Sequence, residues 1–403
     1  TRSSSVTGVQ TCALPILDLI NKEKLENKRI SFFVIDYSQG GGVERVTSDL
    51  IDIFKNNGLQ VIDLVSLYQV NKTPLVNFNE TLNFLVFNPI SKKDIESHFL
   101  EYFHKNKPDF FIFQGDNMTI SLAILSAAKK AKVIAIPQYH GSVFAYLKKY
   151  PDALKSNFEK IIFSKVQYPF KKKKLKNFIK SCENGLLCVS ENSAKELKSL
   201  FDEHITNKIE SIRNPVFFHE ITNVVKENTV SFVSRLERKH KNAFLIVKTW
   251  ELLHRSFHDW TLKIYGEGSL RPKMENFIKE KQIKNVEFMG FSKDMNQEFA
   301  KSSITVSTSD CEGYSMVVAE AIASKNAIAT TRSDGGIWDM IIENKTGLVS
   351  DRNRADLLAN NIAKLIQNNT LRNQLINNSY EHLTGIVNDD VFIKWKKFLQ
   401  KKL

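Results

Sequence analysis

The sequence predicts an α/β protein with two Rossmann-like domains that face each other across a cleft. Along the 403 residues, short apolar segments alternate with amphipathic segments, which is the pattern of parallel βαβ units. The alternation is interrupted over 212–229, where Asn214-Pro215 disfavours helix and a polar run follows. After this interruption, the alternation of apolar and amphipathic segments resumes. A chain of this length can form two domains of ordinary size.

The first half predicts an N-terminal domain over 28–213. RISFFVID at 29–36 predicts a buried strand that leads into the glycine-rich YSQGGG, and VERVTSDLIDIFKNNG predicts a helix ending at Gly58. Five later segments predict further short strands: LQVIDLVSL, LNFLVF, DFFIFQ, KVIAIPQ and GLLCVS.

The second half predicts a C-terminal domain over 214–387. It begins with the apolar VSFVSRL at 230–236 and continues with AFLIVKTWELLHR as a helix, WTLKIYGEG as a strand and glycine loop, and RPKMENFIKEKQI as a helix. The alternation continues through VEFMG, SSITVSTS, MVVAEAIAS and AIATT. A last amphipathic helix is predicted within 388–403, packing back on the N-terminal domain.

Composition limits the class of protein. Apolar residues make up 42% and charged residues 25%, as in soluble globular proteins, and no run of eighteen apolar residues predicts a membrane span. The four cysteines have no paired spacing, which argues against a disulfide framework or zinc site and favours the cytoplasm. Residues 1–16 are rich in Ser and Thr and unlike the rest, so we interpret them as a non-native leader.

Basic charge is concentrated in the segment Lys148–Lys180. Eleven lysines against Asp152 and Glu159 give it a net charge of +9, out of +13 for the whole chain, and apolar residues lie between the lysines. A solvated helix face explains most such runs. A surface that docks on anionic lipid is the sharper hypothesis. Nucleic-acid binding is disfavoured, because the segment contains no arginine.

CEGYSMVVAE, at 311–320, contains the first candidate site residues. Glu312 and Glu320 are eight positions apart, which on one α-helix would place them on the same face, about two turns apart. Gly313, Tyr314 and Ser315 predict a loop-to-helix junction, whose free N–H groups attract phosphate. The two carboxylates could then hold opposite ends of one elongated ligand.

Further candidates follow predicted strands. Two basic residues such as Arg235 and Lys241, in SRLERKHKN, are by themselves more often solvated. Beside the glutamate pair and the glycine loops they could neutralise a diphosphate, with Lys239 as a competing lysine. The glycines Gly41 and Gly42 would let the backbone approach a ligand closely. His140, in IPQYHGS, is either structural or part of the site. No Asp-x-Asp pair suggests a metal site.

These segments together resemble the retaining glycosyltransferases of family four, which have the GT-B fold. The resemblance is carried in order by GGGVERV, SRLERKHKN, YGEGSLRPKMENFI, VEFMGF, EGYSMVVAEAIAS with its Glu-x7-Glu spacing, and GGIWDMIIENKTGLV. It spans roughly residues 28–400 and is strongest over 230–350. Asp339 stands where the family usually has glutamate.

The resemblance implies a role for each candidate. Glu320 would bind the ribose hydroxyls and Glu312 those of the donor sugar. The backbone of Gly313, Tyr314 and Ser315 would hold phosphate and sugar. The other residues that it implicates are the catalytic Arg235, Lys241 and His140 and the donor-binding Gly41, Gly42 and Gly266.

The implied function is transfer of a sugar from a UDP- or GDP-sugar to a glycan or lipid-linked acceptor in bacterial surface polysaccharide synthesis, with retained configuration and without metal or cofactor. The first domain would lie on the acceptor side. Peripheral contact with the inner face of the membrane is expected through the lysine segment. Three alternatives remain: a dinucleotide-dependent oxidoreductase, a non-hydrolysing epimerase and a lysine-rich nucleic-acid binder.

Overall fold

The computed structural model of this protein describes residues 25–78, 81–114, 117–147, 166–218, 224–237, 240–292, 294–387 and 391–403. The chain divides into two compact units. The first comprises Thr1–Gln138, Cys182–Asn184 and Asp390–Leu403, and the second comprises Tyr139–Ser181 and Gly185–Asp389. The leader predicted at 1–16 and the lysines within 148–165 lie outside the described residues.

The first sheet is parallel, with seven strands in the order β3-β2-β1-β4-β5-β6-β7. Its strands are β1 at Arg29–Asp36, β2 at Gln60–Tyr68, β3 at Asn83–Val86, β4 at Phe110–Gln114, β5 at Ile134–Tyr139, β6 at Leu186–Cys188 and β7 at Ile209–Ser211. Every residue of β4 is buried, which explains the run of four apolar residues FFIF that precedes Gln114. The sequence did not predict β7, which has only three residues.

Helices connect these strands, as the amphipathic segments predicted. They are α1 at Gly42–Asn56, α2 at Lys92–Asn106, α3 at Met118–Ala131, α4 at Val143–Leu147, α5 at Tyr168–Ser181, α6 at Glu191–Lys198 and α7 at Glu203–Thr206. In the first unit, Phe111 of β4 packs edge-on against Phe99 and Phe103 of α2, with ring centroids 5.6 and 4.9 Å apart.

The second sheet lies in the second unit and is also parallel, with the order β10-β9-β8-β11-β13-β15. Its strands are β8 at Thr229–Val233, β9 at Thr261–Tyr265, β10 at Val286–Gly290, β11 at Ile304–Ser307, β13 at Ala327–Thr331 and β15 at Leu348–Ser350. The helices are α8 at Phe244–Glu251, α9 at Arg271–Glu280, α10 at Met295–Lys301, α11 at Met316–Ala323, α12 at Ala355–Gln367 and α13 at Asn369–Val387. The prediction of an α/β fold with two Rossmann-like parallel sheets is confirmed.

A two-stranded sheet follows β11 and corrects one prediction. Its strands are β12 at Cys311–Glu312 and β14 at Asp334–Gly335, paired in parallel. Glu312 is therefore a strand residue, whereas Glu320 lies in α11, so the prediction of one helix carrying both is wrong. The physical reason is backbone pairing: Asp334 N–H donates to Asp310 O at 3.0 Å, which holds this segment extended until α11 begins.

The C-terminal helix α14, at Val391–Gln400, belongs to the first unit. Its Trp395 is fully buried and packs edge-on against Phe54 of α1, with ring centroids 5.6 Å apart. Apolar residues of α14 thus complete the core beside α1. Among the described residues, no helix combines the length and apolar character needed to cross a membrane.

Candidate active site

An ion pair between Lys241 and Glu312 lies at the centre of the candidate site. Lys241 Nζ is 2.6 Å from Glu312 Oε1, and the two side chains are 23% and 15% exposed. Lys241 lies in the loop that follows β8, and Glu312 ends β12, shortly after β11. Because β8 and β11 are neighbours in a parallel sheet, the loops at their carboxyl ends meet.

Gly313 brings the next loop close to His140. A Cβ atom added at Gly313 would lie only 1.8 Å from the backbone oxygen of His140. Any side chain at this position would therefore push the two segments apart. The hydroxyl of Ser193, in α6, donates to Gly313 O at 2.8 Å and holds the loop from another direction.

His140 directly follows β5 and lies in the second unit. Desolvation lowers the pKa of His140 to about 3, so its imidazole is neutral at physiological pH. A neutral imidazole can donate one hydrogen bond without carrying charge. The structure therefore brings together Lys241, Glu312, Gly313 and His140, which come from three separate segments of the sequence.

Tyr314 and Ser315 lead into α11. The Tyr314 side chain packs within an apolar cluster with Val318, Ile322 and Met340, and burial raises its pKa well above the usual range. The Tyr314 hydroxyl therefore faces the protein interior. The backbone N–H of Tyr314, rather than its side chain, is the group suited to binding a ligand. Ser315 is the N-cap residue, in an extended conformation without a side-chain cap hydrogen bond.

Glu320 lies on the less buried side of α11. Its own side chain is half-buried, whereas Val318, Ala319, Ala321 and Ile322 are buried. The less buried side of this short helix is thus the one that carries the carboxylate. Glu320 follows the uncapped N-terminus by little more than one turn, about 6–8 Å of helix rise.

Arg235 and Gly266 lie on adjacent loops beyond β8 and β9. Gly266 has φ +116°, and a Cβ atom there would lie 2.0 Å from Ser234 O. The loops are joined by Ser234 N–H to Tyr265 O at 3.0 Å and Leu236 N–H to Glu267 O at 2.9 Å. The Arg235 side chain is 71% exposed, with Glu237 Oε2 4.0 Å away.

The two remaining candidates lie in the first unit. Gly41 is the N-cap of α1, and Gly42 is its first residue. The carbonyl of Gly41 accepts from Arg45 N–H at 3.2 Å, which closes the first turn of the helix. The competing Lys239 lies outside the described residues.

Asp339 has a structural role in this chain that the sequence did not reveal. Its carboxylate accepts from the backbone N–H groups of Glu191 and Asn192, each at 2.9 Å, and so caps α6. Arg213 Nε also donates to it at 3.1 Å. Glu191, at the start of α6, and Asp339 are 148 positions apart in the sequence, so no local sequence signal could have indicated their contact.

The described residues contain no cluster of three or more His, Cys, Asp or Glu side chains arranged to hold a metal ion. The charged groups gathered here are instead an ammonium, a carboxylate and an uncapped helix N-terminus. Such groups can bind a phosphorylated ligand that also carries hydroxyls.

Comparison with known sequences agrees with this chemistry. Residues 213–382 match the model of the family described as glycosyl transferases group 1. An uncharacterized glycosyltransferase of Haemophilus influenzae is 23% identical over 92% of this chain and all of its own length. A Campylobacter jejuni α-1,4-N-acetyl-D-galactosaminyltransferase, whose name includes a PP-undecaprenol-linked glycan, is 23% identical over 92% of this chain and 98% of its own.

Solved structures share the fold. A Staphylococcus aureus TarM variant, crystallised with fondaparinux, α-GlcNAc-glycerol and UDP, superimposes with a TM-score of 0.74. The match covers 92% of this chain and 99% of TarM at 16% identity, and so shows the fold alone. Residues 213–382 thus match the model of glycosyl transferases group 1, and the chain has the two-domain GT-B fold.

Proposed function

We propose that this protein is a retaining glycosyltransferase that moves a sugar from a UDP- or GDP-sugar to a hydroxyl of a glycan or lipid-linked acceptor. The supporting observation is the Lys241–Glu312 ion pair beside the uncapped N-terminus of α11. Both features fall within the segment that matches the family model. UDP is the favoured nucleotide, because the structurally similar TarM was crystallised with it.

The donor's diphosphate would be held by cations and backbone N–H groups. An ammonium can donate three hydrogen bonds, so Lys241 can hold Glu312 and a phosphate oxygen together. The N–H groups of Gly313, Tyr314 and Ser315, at the start of α11, would add the positive end of the helix dipole. Arg235 is the second cation, beside Gly266, where the backbone is free of a side chain.

The sugar and ribose would be held by carboxylates. Glu312 would accept from donor-sugar hydroxyls, while Lys241 fixes its orientation. Glu320 would accept from the two ribose hydroxyls. The neutral His140 would donate to the sugar.

We propose the following course for the reaction. The bond between the anomeric carbon and the diphosphate oxygen breaks as the acceptor oxygen bonds to the same face of that carbon. The acceptor's proton passes to the leaving phosphate, so no protein base is required. Lys241 and Arg235 stabilise the charge that develops on the diphosphate and take the place of a metal ion.

The acceptor class is inferred from the relatives and from the chain's charge. The Campylobacter jejuni relative is named for a glycan on PP-undecaprenol. We therefore place this protein in bacterial surface polysaccharide synthesis, in the cytoplasm and in peripheral contact with the membrane. The four cysteines have no paired spacing in the sequence, which suits a reducing compartment.

Helix α5 indicates which lysines would meet the membrane. Lys171 Nζ donates to Tyr146 O at 3.0 Å, Lys172 lies over the Phe201 ring, and Lys176 pairs with Asp202. These three lysines face the second unit itself.

The opposite side of α5 has a different character. Lys173 and Lys174 are exposed, next to Phe170, which is 68% exposed. A large apolar side chain between exposed lysines suits a surface of anionic lipid, where the lysines attract the headgroups and the ring inserts. This face is the membrane contact that we propose.

An assay of nucleotide release tests the proposed reaction. The protein is incubated with UDP- and GDP-sugars, with and without extracts of lipid-linked glycans. We expect free nucleotide to form much faster with acceptor, together with a glycan one sugar longer in the donor's anomeric configuration. Conversion of one UDP-sugar into another without acceptor would instead indicate an epimerase. An NAD(P)H fluorescence change on binding would indicate an oxidoreductase.

A further inference from the structure

The turn that carries Lys241 has an unusual backbone. His240 has φ +67° and Asn242 has φ +46°, so left-handed residues without glycine stand on both sides of the lysine. Histidine and asparagine adopt this conformation more readily than most residues. Such backbone still persists only where surrounding contacts enforce it, and it is concentrated at functional sites.

Contacts from one segment hold this turn. Thr308 is 1% exposed. Its hydroxyl oxygen lies 2.8 Å from Lys241 O and 3.2 Å from Asn242 O, so the single hydroxyl proton is shared between the two carbonyl acceptors. Asp310 N–H donates to His240 O at 2.8 Å. The three carbonyls of the turn thus all accept hydrogen bonds from 308–310.

Two side-chain contacts support the same arrangement. The sulfur of Cys311 lies 3.3 Å from His240 Nδ1, and Asn242 Nδ2 donates to Asn353 Oδ1 at 2.9 Å. The residue after Cys311 is Glu312. The segment that holds the backbone of the turn therefore also carries the carboxylate that meets Lys241.

We infer that Thr308 is a positioning residue for Lys241 and, given the proposed function, sets where the ammonium meets the donor diphosphate. Its hydroxyl contacts the carbonyls of two consecutive peptide units, 241–242 and 242–243. The first unit is bonded to the Cα atom that carries the lysine side chain, so the contact restricts the orientation of that side chain. A side chain of the same shape without the proton would remove this donor from Lys241 O, whereas Asn242 O would keep the N–H of Leu245 at 3.0 Å. The ammonium would then be free to leave Glu312.

Thr308→Val removes the donor and keeps the shape of the side chain. For the full-length protein we expect kcat/KM for sugar transfer to fall roughly tenfold, in kcat more than in KM. Thr308→Ser, which keeps the hydroxyl, should recover most of the loss. Thr249→Val is the matched control, because it removes a buried hydroxyl that donates to Leu245 O within α8. It should leave kcat/KM unchanged.

A double-mutant cycle with Lys241→Met separates positioning from general damage. If Thr308 acts through Lys241, Thr308→Val should have no further effect once the ammonium is gone. An equal loss in both backgrounds, or no rescue by Thr308→Ser, would overturn the inference.

A crystal structure of Thr308→Val gives a readout that does not depend on activity. The Nζ–Oε1 distance should lengthen beyond about 4 Å, the limit of an ion pair. An unchanged Lys241–Glu312 pair would refute the positioning role, even if the protein transferred no sugar at all. An inactive wild type whose pair is lost in the variant would instead refute the proposed function alone.

Discussion

Arg213 and Asp339 form a buried ion pair that holds the start of α6. Arg213 Nε donates to Asp339 Oδ2 at 3.1 Å, and the side chains are 13% and 1% exposed. The N–H groups of Glu191 and Asn192 donate to the same carboxylate. One buried anion is thus compensated by a guanidinium and by the positive end of a helix.

Removing this carboxylate should destabilise the protein. We expect Asp339→Ala to lower the free energy of unfolding by about 1–3 kcal/mol, because the N–H groups of Glu191 and Asn192 would lose their acceptor, although Arg213 would keep its ion pair with Glu191 at 2.7 Å. Denaturant titration measures the loss. Asp356→Ala is the control, since that carboxylate is 53% exposed and pairs only at the surface with Arg354. Equal stability of wild type and Asp339→Ala would show that the pair contributes nothing.

Gly313→Ala should disrupt the candidate site. The new Cβ would lie 1.8 Å from His140 O, so one of the two segments has to move. We expect UDP affinity to fall at least tenfold by calorimetry. Gly385→Ala is a matched control in α13, because a Cβ atom added there would have no other heavy atom within 4 Å. It should preserve UDP binding and raise stability by about 1 kcal/mol. Wild-type affinity in Gly313→Ala would contradict the close packing.

The two glutamates should separate binding from turnover. Glu320→Gln should weaken UDP binding, because an amide accepts fewer hydrogen bonds from a ribose pair than a carboxylate does. Glu312→Gln should chiefly lower kcat, since the donor sugar and Lys241 both lose a charged partner. Calorimetry with UDP and steady-state kinetics measure the two effects. Undiminished UDP affinity in Glu320→Gln would exclude the ribose role.

Cations rather than a metal should stabilise the leaving group. Lys241→Ala and Arg235→Ala should each lower the transfer rate roughly 10²-fold, the effect of losing one charge-stabilising donor. Lys248→Ala, which removes an exposed lysine of α8, should leave the rate unchanged. EDTA should also leave the wild-type rate nearly unchanged. Activity lost on chelation and restored by Mn²⁺ would require a metal in the mechanism.

Membrane contact should depend on one face of α5. Lys173→Gln with Lys174→Gln should release the protein from vesicles containing anionic lipid, and the wild-type interaction should weaken with salt as screening shortens to about 8 Å. Transfer to a soluble acceptor should be unaffected. The charge-matched control is Lys279→Gln with Lys281→Gln, at the end of α9. If wild type floats equally well with neutral vesicles, the lysines are only a solvated face.

Much of the fold could be predicted from the sequence, because strands and helices depend on local patterns. The apolar run at 29–36 is β1, and the amphipathic segment after it is α1. The junction Gly313-Tyr314-Ser315 does lead into a helix, which begins at Met316. In each case the signal is contained within a few consecutive residues, as the periodicity of a strand or helix requires.

The sequence by itself thus determined the two parallel sheets, the helix that carries Glu320 and the residue types suited to a phosphorylated ligand. Tertiary structure alone decided that Glu312 lies in a strand, that Asp339 caps a helix 148 positions away, and that Thr308 holds the turn of Lys241. The physical reason is that these contacts join loops from different strands. Such loops meet only because the order of strands in the sheet brings them to the same edge, and that order is not a local property of the chain.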